Sequence, residues 1–293
     1  MTRFEGIYPA TLTPFDANGN FDAAVYERFI CHLYDQGSSG QFVCGVMGEG
    51  LLMTAGERET VAETAIRVSR GKGKVLVHVG SGSTAESVRL ARHAVRAGAD
   101  GVSSLAPHSA PFGPAAIESH FRAIAEAAQP LPFLIYYNPA AAPCLNSYAV
   151  LERLLDLPGI AGVKFSGINA EDLAYVILQR AQRQNVLTGV DEMLLATQMM
   201  GAHGAIAALA NVMPRLFVEV RRLAREGNPR DALPLQRRVI EVARLLEPYP
   251  FMAAVKALSS RDGMDLGNPR PPHLPLTEDQ RTELLAGFAR IAG

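Results

Sequence analysis

Cysteine is scarce in this chain, and neither sign of charge is in excess. The only cysteines are Cys31, Cys44 and Cys144, widely separated and without a Cys-x-x-Cys pair. An odd, scattered set argues against a disulfide framework or a zinc site and fits reduced cytosolic thiols. Lysine plus arginine number 28 and aspartate plus glutamate 29, a formal net charge of −1. With no basic tract, nucleic acid is not an expected partner. Eighteen apolar residues never run together, so no membrane span is expected. No long apolar run follows the lone Arg3 either, which argues against a signal peptide. His32, His78, His93, His108, His120, His203 and His273 offer no pair at metal-ligand spacing, and core or surface roles are expected for them instead of a metal site. Low-complexity segments and short repeats are missing as well. These absences lead to the expectation of a soluble, cytoplasmic, mixed α/β protein.

The 293 residues are 48% hydrophobic, enough for one large core with an appendage. Apolar strand-like runs alternate with helix-period segments. The strands are expected at 6–10, 41–44, 75–79, 101–105, 133–137, 162–165, 186–190 and 205–209. Helices are expected at 22–36, 55–70, 85–97, 114–128, 147–155, 170–184 and 193–200, with capping signals such as Thr54 before Glu57 and Ser147 after Pro143. Eight such runs, buried on both faces with helices between them, predict a (β/α)8 TIM barrel. Beyond Pro214 the strand signal stops, and helices are expected at 216–225, 231–246, 251–259 and 278–291. Residues 1–225 therefore read as a catalytic barrel and 226–293 as a C-terminal helical module. Gly80-Ser81-Gly82-Ser83-Thr84-Ala85 fits a Gly-x-Gly-x-x-Ala dinucleotide pattern. However, it follows the third strand, and Asp100 precedes the next strand instead of ending it. It reads better as a loop at a barrel mouth.

The most informative stretch is Gly159-Ile160-Ala161-Gly162-Val163-Lys164-Phe165-Ser166-Gly167. It looks like a buried strand with one lysine in it. Burying a lysine uncharged or unpaired costs on the order of several kcal/mol, so apolar strands rarely carry one without a reason. A desolvated lysine also loses its proton readily, and the neutral amine attacks a ketone to give a Schiff base. The plainer alternative is a strand-end lysine snorkelling to solvent.

Four loops at expected strand ends, in order and at these separations, resemble one superfamily. They are Gly45-Val46-Met47-Gly48-Glu49-Gly50, Tyr136-Tyr137-Asn138-Pro139, Gly162-Val163-Lys164-Phe165-Ser166 and Gly189-Val190-Asp191-Glu192. The set resembles the dihydrodipicolinate synthase and N-acetylneuraminate lyase superfamily, from Gly6 to Val212, and within it the lyase branch. The resemblance implies a barrel, usually a homotetramer, forming a lysine Schiff base with pyruvate or another 2-oxo acid and needing no separate cofactor. Lys164 is then the Schiff-base lysine. Tyr136, 28 positions before Lys164 and three before Pro139, matches the proton-relaying tyrosine of that family, and strand alternation agrees that only one of Tyr136 and Tyr137 can face the interior. The substrate would be held by Val46, Met47, Gly48, Ser166, Gly189, Asp191, Glu192 and Ile206. Asp191 and Glu192 grip polyhydroxylated tails in the lyase branch; on their own they also read as caps of the following helix.

The departures bear on substrate. Val46-Met47 stands where the family commonly has two hydroxyl residues. His108-Ser109 replaces a neighbour-subunit tyrosine, Ala141 replaces the synthase arginine, and Ala208 replaces a lyase serine. The expected activity is that of a class I aldolase cleaving or condensing a 2-oxo-3-deoxy sugar acid. A 2-oxo-3-deoxy acid dehydratase, a dihydrodipicolinate synthase-like condensing enzyme and a non-catalytic 2-oxo acid binding barrel remain as alternatives.

Overall fold

The computed structural model describes residues 3–108, 110, 112–145, 147–260 and 263–292. Its centre is a single parallel sheet of eight short strands: β1 (Gly6–Pro9), β2 (Gly40–Val43), β3 (Lys74–His78), β4 (Gly101–Ser104), β5 (Phe133–Tyr137), β6 (Ile160–Phe165), β7 (Asn185–Thr188) and β8 (Gly204–Ala207). From β2 to β8 each strand pairs with its sequence neighbour, and β1 pairs with β8. Between β1 and β2 the barrel closes through a parallel bridge, Ala10 to Phe42, where the Thr11 N–H donates to the Phe42 carbonyl at 2.9 Å. This order is a (β/α)8 barrel, not a doubly wound sheet. Gly80–Ser83 accordingly lies between β3 and a helix as a mouth loop, and Thr84 and Ala85 open that helix.

The strands are buried almost throughout because both faces are covered. Around them run α1 (Ala23–Asp35), α2 (Ala55–Ser69), α3 (Thr84–Ala97), α4 (Pro114–Ala127), α5 (Tyr148–Leu155), α6 (Ala170–Arg180), α7 (Leu194–Met200) and α8 (Pro214–Arg225). Thr54 and Glu57 form the reciprocal capping box expected at α2. Ser147 precedes α5 as expected, but its side chain makes no capping hydrogen bond. The helix expected to run to Gln184 ends four residues earlier, at Arg180, because the chain turns there and Asn185 must enter β7.

Three further helices follow: α9 (Pro229–Leu246), α10 (Phe251–Ser259) and α11 (Glu278–Ala292). Helix α9 packs on α8 and α7, α11 on α9, and α10 near the turn after β8. Among the described residues no helix is long and apolar enough to cross a membrane. In such a barrel, side chains at the C-terminal ends of the strands point into one mouth. That geometry gathers the loops after β2, β5, β6, β7 and β8.

Candidate active site

Tyr136 and Lys164 are register partners on β5 and β6, and matched positions on parallel strands point to the same face. The Lys164 Nζ lies 3.9 Å from the Tyr136 ring centroid and 4.3 Å from that of Phe42. Lys164 is 3% exposed. Burial lowers its pKa from the ordinary 10.5, while Tyr136 and the Asp191 charge oppose that shift. The snorkelling alternative does not apply, since the amine stays inside. Tyr137 points the other way and lies against Phe165, with centroids 4.7 Å apart.

The Tyr136 hydroxyl accepts a hydrogen bond from Asn138 Nδ2 at 3.2 Å. Its ring meets Phe42 and His78 edge-on, at 5.8 and 6.0 Å. His78 is itself fixed: the Leu105 N–H donates to Nε2 at 3.1 Å, and Nδ1 lies 3.1 Å from the Cys44 carbonyl. These contacts assign the proton to Nδ1. Burial, then the Arg58 and Lys164 charges, push the imidazole pKa well below 6.5 and keep the ring neutral. His78 is thus a core histidine that braces Tyr136.

Lys164 and Tyr136 open onto a cavity of about 260 Å³. Of the substrate-binding residues expected from the sequence, Val46, Met47, Ser166, Gly189, Asp191, Glu192 and Ile206 line it. Gly48 does not. It sits one layer back, where its carbonyl accepts the Thr13 hydroxyl at 2.7 Å. Ser166 Oγ is buried with no hydrogen-bond partner among the described residues, a hydroxyl left open beside the amine. Glycine at 189 is what leaves it room, because a Cβ there would lie 1.9 Å from that oxygen.

Asp191 and Glu192 do not cap α7. Gln236 of α9 does that work, accepting the Leu195 N–H at 2.8 Å and donating to the Asp191 carbonyl at 3.2 Å. Asp191 Oδ2 instead accepts the Leu209 N–H at 2.7 Å, across the end of β8. Burial raises its carboxyl pKa to about 7, with the Glu192 charge adding and the Leu209 N–H opposing. Glu192 is exposed at the mouth.

Ala10, Asn138, Leu209, Ala243 and Phe251 also line the cavity, and sequence reading did not single them out. Asn138 lies inside a quoted motif. Ala243 and Phe251 come from α9 and α10, and nothing in their local pattern distinguishes them from ordinary helix residues. His108 is exposed, and Ser109 lies outside the described residues. A larger hollow, about 610 Å³, lies between the 15–22 and 263–271 segments. The cation on its wall, Arg270, is already engaged by Gly19, Leu52 and Glu57.

The chain matches the dihydrodipicolinate synthetase family over residues 3–289. It is 33% identical over 291 residues to a 4-hydroxy-tetrahydrodipicolinate synthase of Synechococcus sp. (strain WH7803), covering 99% of this chain and 96% of that one. Two solved structures share the fold across 99% of both chains. One is Proteus mirabilis N-acetylneuraminate lyase, with TM-score 0.91 and 27% identity. The other is the prophage protein YagE of E. coli K12 in complex with pyruvate, with TM-score 0.94 and 26% identity.

Proposed function

The chain belongs to the dihydrodipicolinate synthetase family of lyases, and on that premise we propose that it is a class I aldolase for a 2-oxo-3-deoxy sugar acid. The observation carrying this reading is the buried Lys164 amine over the Tyr136 ring, in one cavity with Asp191 and Glu192. In the cleavage direction the unprotonated amine attacks C2 of the 2-oxo acid and water leaves, giving an iminium. Tyr136 takes the C4 hydroxyl proton, the C3–C4 bond breaks, and its electron pair moves into an enamine as the aldehyde departs. Protonation at C3 and hydrolysis release pyruvate and free Lys164. The lysine itself supplies the electron sink, so this chemistry calls for no separate cofactor.

The tail of the substrate follows from the walls. Among the described lining residues Lys164 is the one cation, while Asp191 and Glu192 are acceptors. Hydroxyl groups satisfy acceptors of this kind, whereas a second carboxylate would find no positive partner. Ala141, standing at the synthase arginine position, is in keeping with that. A dihydrodipicolinate synthase-like condensation is the second reading, favoured by the names of the sequence relatives.

Borohydride trapping with pyruvate, read by intact mass and peptide mapping, tests the Schiff base. One pyruvate-derived adduct on Lys164, lost in Lys164→Ala, is the expected result. No adduct with any 2-oxo acid would overturn the aldolase reading. Aldehyde plus pyruvate from a sugar acid, against condensation with an amino-aldehyde, separates the two substrates. Water loss without cleavage would identify a dehydratase.

We propose also a cytoplasmic homotetramer. Ile168 is fully exposed, and Tyr175 and Leu178 leave an apolar strip on α6. Sedimentation of the purified chain tests the assembly.

A further inference from the structure

Behind the cavity lies a charge pair that the aldol chemistry does not use. Glu49 Oε1 is 2.7 Å from Lys256 Nζ, with the two side chains 0% and 1% exposed. Glu49 Oε2 accepts the Arg270 N–H at 2.7 Å. Lys256 also donates to the Asn268 carbonyl at 3.3 Å and lies 4.3 Å from the Phe15 ring centroid.

The two partners belong to different parts of the chain, and each stands beside a lining residue. Glu49 is two residues after Met47, in a loop closed by the Glu49 N–H to the Val46 carbonyl and the Gly50 N–H to the Gly45 carbonyl, both at 3.0 Å. It holds a left-handed backbone, φ 53°, and its carboxylate is buried against Lys256 and does not line the cavity. Lys256 is five residues after Phe251, on the helix that brings this ring, 46% exposed, to the same cavity. One buried pair therefore ties the wall carrying Val46 and Met47 to the wall carrying Phe251.

A buried ion pair is a poor source of net stability, because desolvation offsets most of its attraction, and well-packed apolar groups do as well. What it imposes is geometry, since separating the charges would strand each one in a low-dielectric interior. We infer that Glu49 and Lys256 are positioning residues that set the width of the cavity mouth, and that Phe251 is the specificity-determining wall they hold against the substrate tail. This rests on the sugar-acid reading for the nature of the tail, and not for the clamp itself.

The chain has no tryptophan, so Phe251→Trp places a single fluorophore at the mouth. In that background, Glu49→Gln paired with Lys256→Met removes both charges without leaving either unpaired. The expected result is a folded protein by circular dichroism whose indole is quenched by acrylamide about twofold more readily. Unchanged quenching would overturn the clamp, whatever the enzyme's substrate. In the tryptophan-free protein, turnover of long and short sugar acids is compared by kcat/KM. Phe251→Ala and the paired variant should each lower the long-over-short ratio about fivefold or more, in the range one apolar contact discriminates. The triple variant should lose no more than either alone, because both act through one wall. Additive losses, or an unmoved ratio in Phe251→Ala, would overturn the proposal. Failure of pyruvate to trap on Lys164 in the parent sinks the aldolase reading instead, and the quenching arm then decides the clamp by itself.

Discussion

Lys164 and Tyr136 are paired residue for residue across β5 and β6, with the lysine Nζ 3.9 Å from the tyrosine ring centroid. The pairing fixes their separation through backbone hydrogen bonds, so no flexible loop has to bring amine and phenol together. Phe42 and His78 close the remaining sides of the ring. The amine is thereby kept dry, and its proton affinity falls.

Schiff-base formation by Lys164 should therefore proceed below the pH at which an ordinary lysine reacts. The rate of pyruvate trapping, followed by mass from pH 6 to 11 (roughly the range bracketing lysine titration), should reach half its maximum below the normal 10.5. A midpoint at or above 10.5 would mean the amine is as solvated in solution as a surface lysine.

Restoring two hydroxyls beside the amine should improve the handling of pyruvate. Neutral hydrogen bonds net roughly 0.5–1.5 kcal/mol each, so Val46→Thr with Met47→Thr should speed trapping by about one to two powers of ten. Both positions line the cavity. A folded double variant that traps no faster would show that the 2-oxo acid carboxylate does not lie against these side chains.

Glu192 stands exposed at the mouth, where a sugar tail would pass. Hydrogen bonds to a charged group are worth about 1.5–3 kcal/mol. Glu192→Ala should then cost about tenfold or more in kcat/KM on long polyhydroxylated substrates and little on short ones. Equal losses on both would point to damage elsewhere in the site, since Glu192 caps no helix.

Asp191 makes the protein's stability depend on pH in an unusual direction. Its folded-state pKa of about 7 lies above the ordinary 3.8. A raised folded pKa contributes stability that is complete below the unfolded value and is lost as pH rises through the folded one. Relative to Asp191→Asn, the native protein should lose up to about 4 kcal/mol between pH 4 and pH 7.5, as three pKa units imply. Urea denaturation of both proteins at the two pH values measures this. A constant difference would show that the carboxyl is ionised throughout.

Much of this molecule was readable before any coordinates. Alternating apolar runs and helical periods placed eight strands and the helices between them within a few residues. The reason is that a strand buried on both faces has little freedom in composition. Lys164 stood out because a charge inside such a strand is costly. Strand alternation also required that Tyr136 and Tyr137 point opposite ways. Tertiary structure decided the rest. Asp191 also read as a helix cap, yet its carboxylate turned to Leu209 in the turn just past β8, while Gln236, 45 residues further on, took over the helix end. Gly48 belonged to the right motif but fell behind the wall, because the tight turn from Gly45 to Gly50 directs successive residues to different sides. Phe251 carries no local signal, and Glu49, though it sits in the Gly45–Gly50 motif, shows in sequence only as an acid in a loop. Their meaning comes from Lys256. Local sequence specifies periodicity and burial, whereas a contact spanning two hundred residues exists only once the barrel has closed and the C-terminal helices have packed against it.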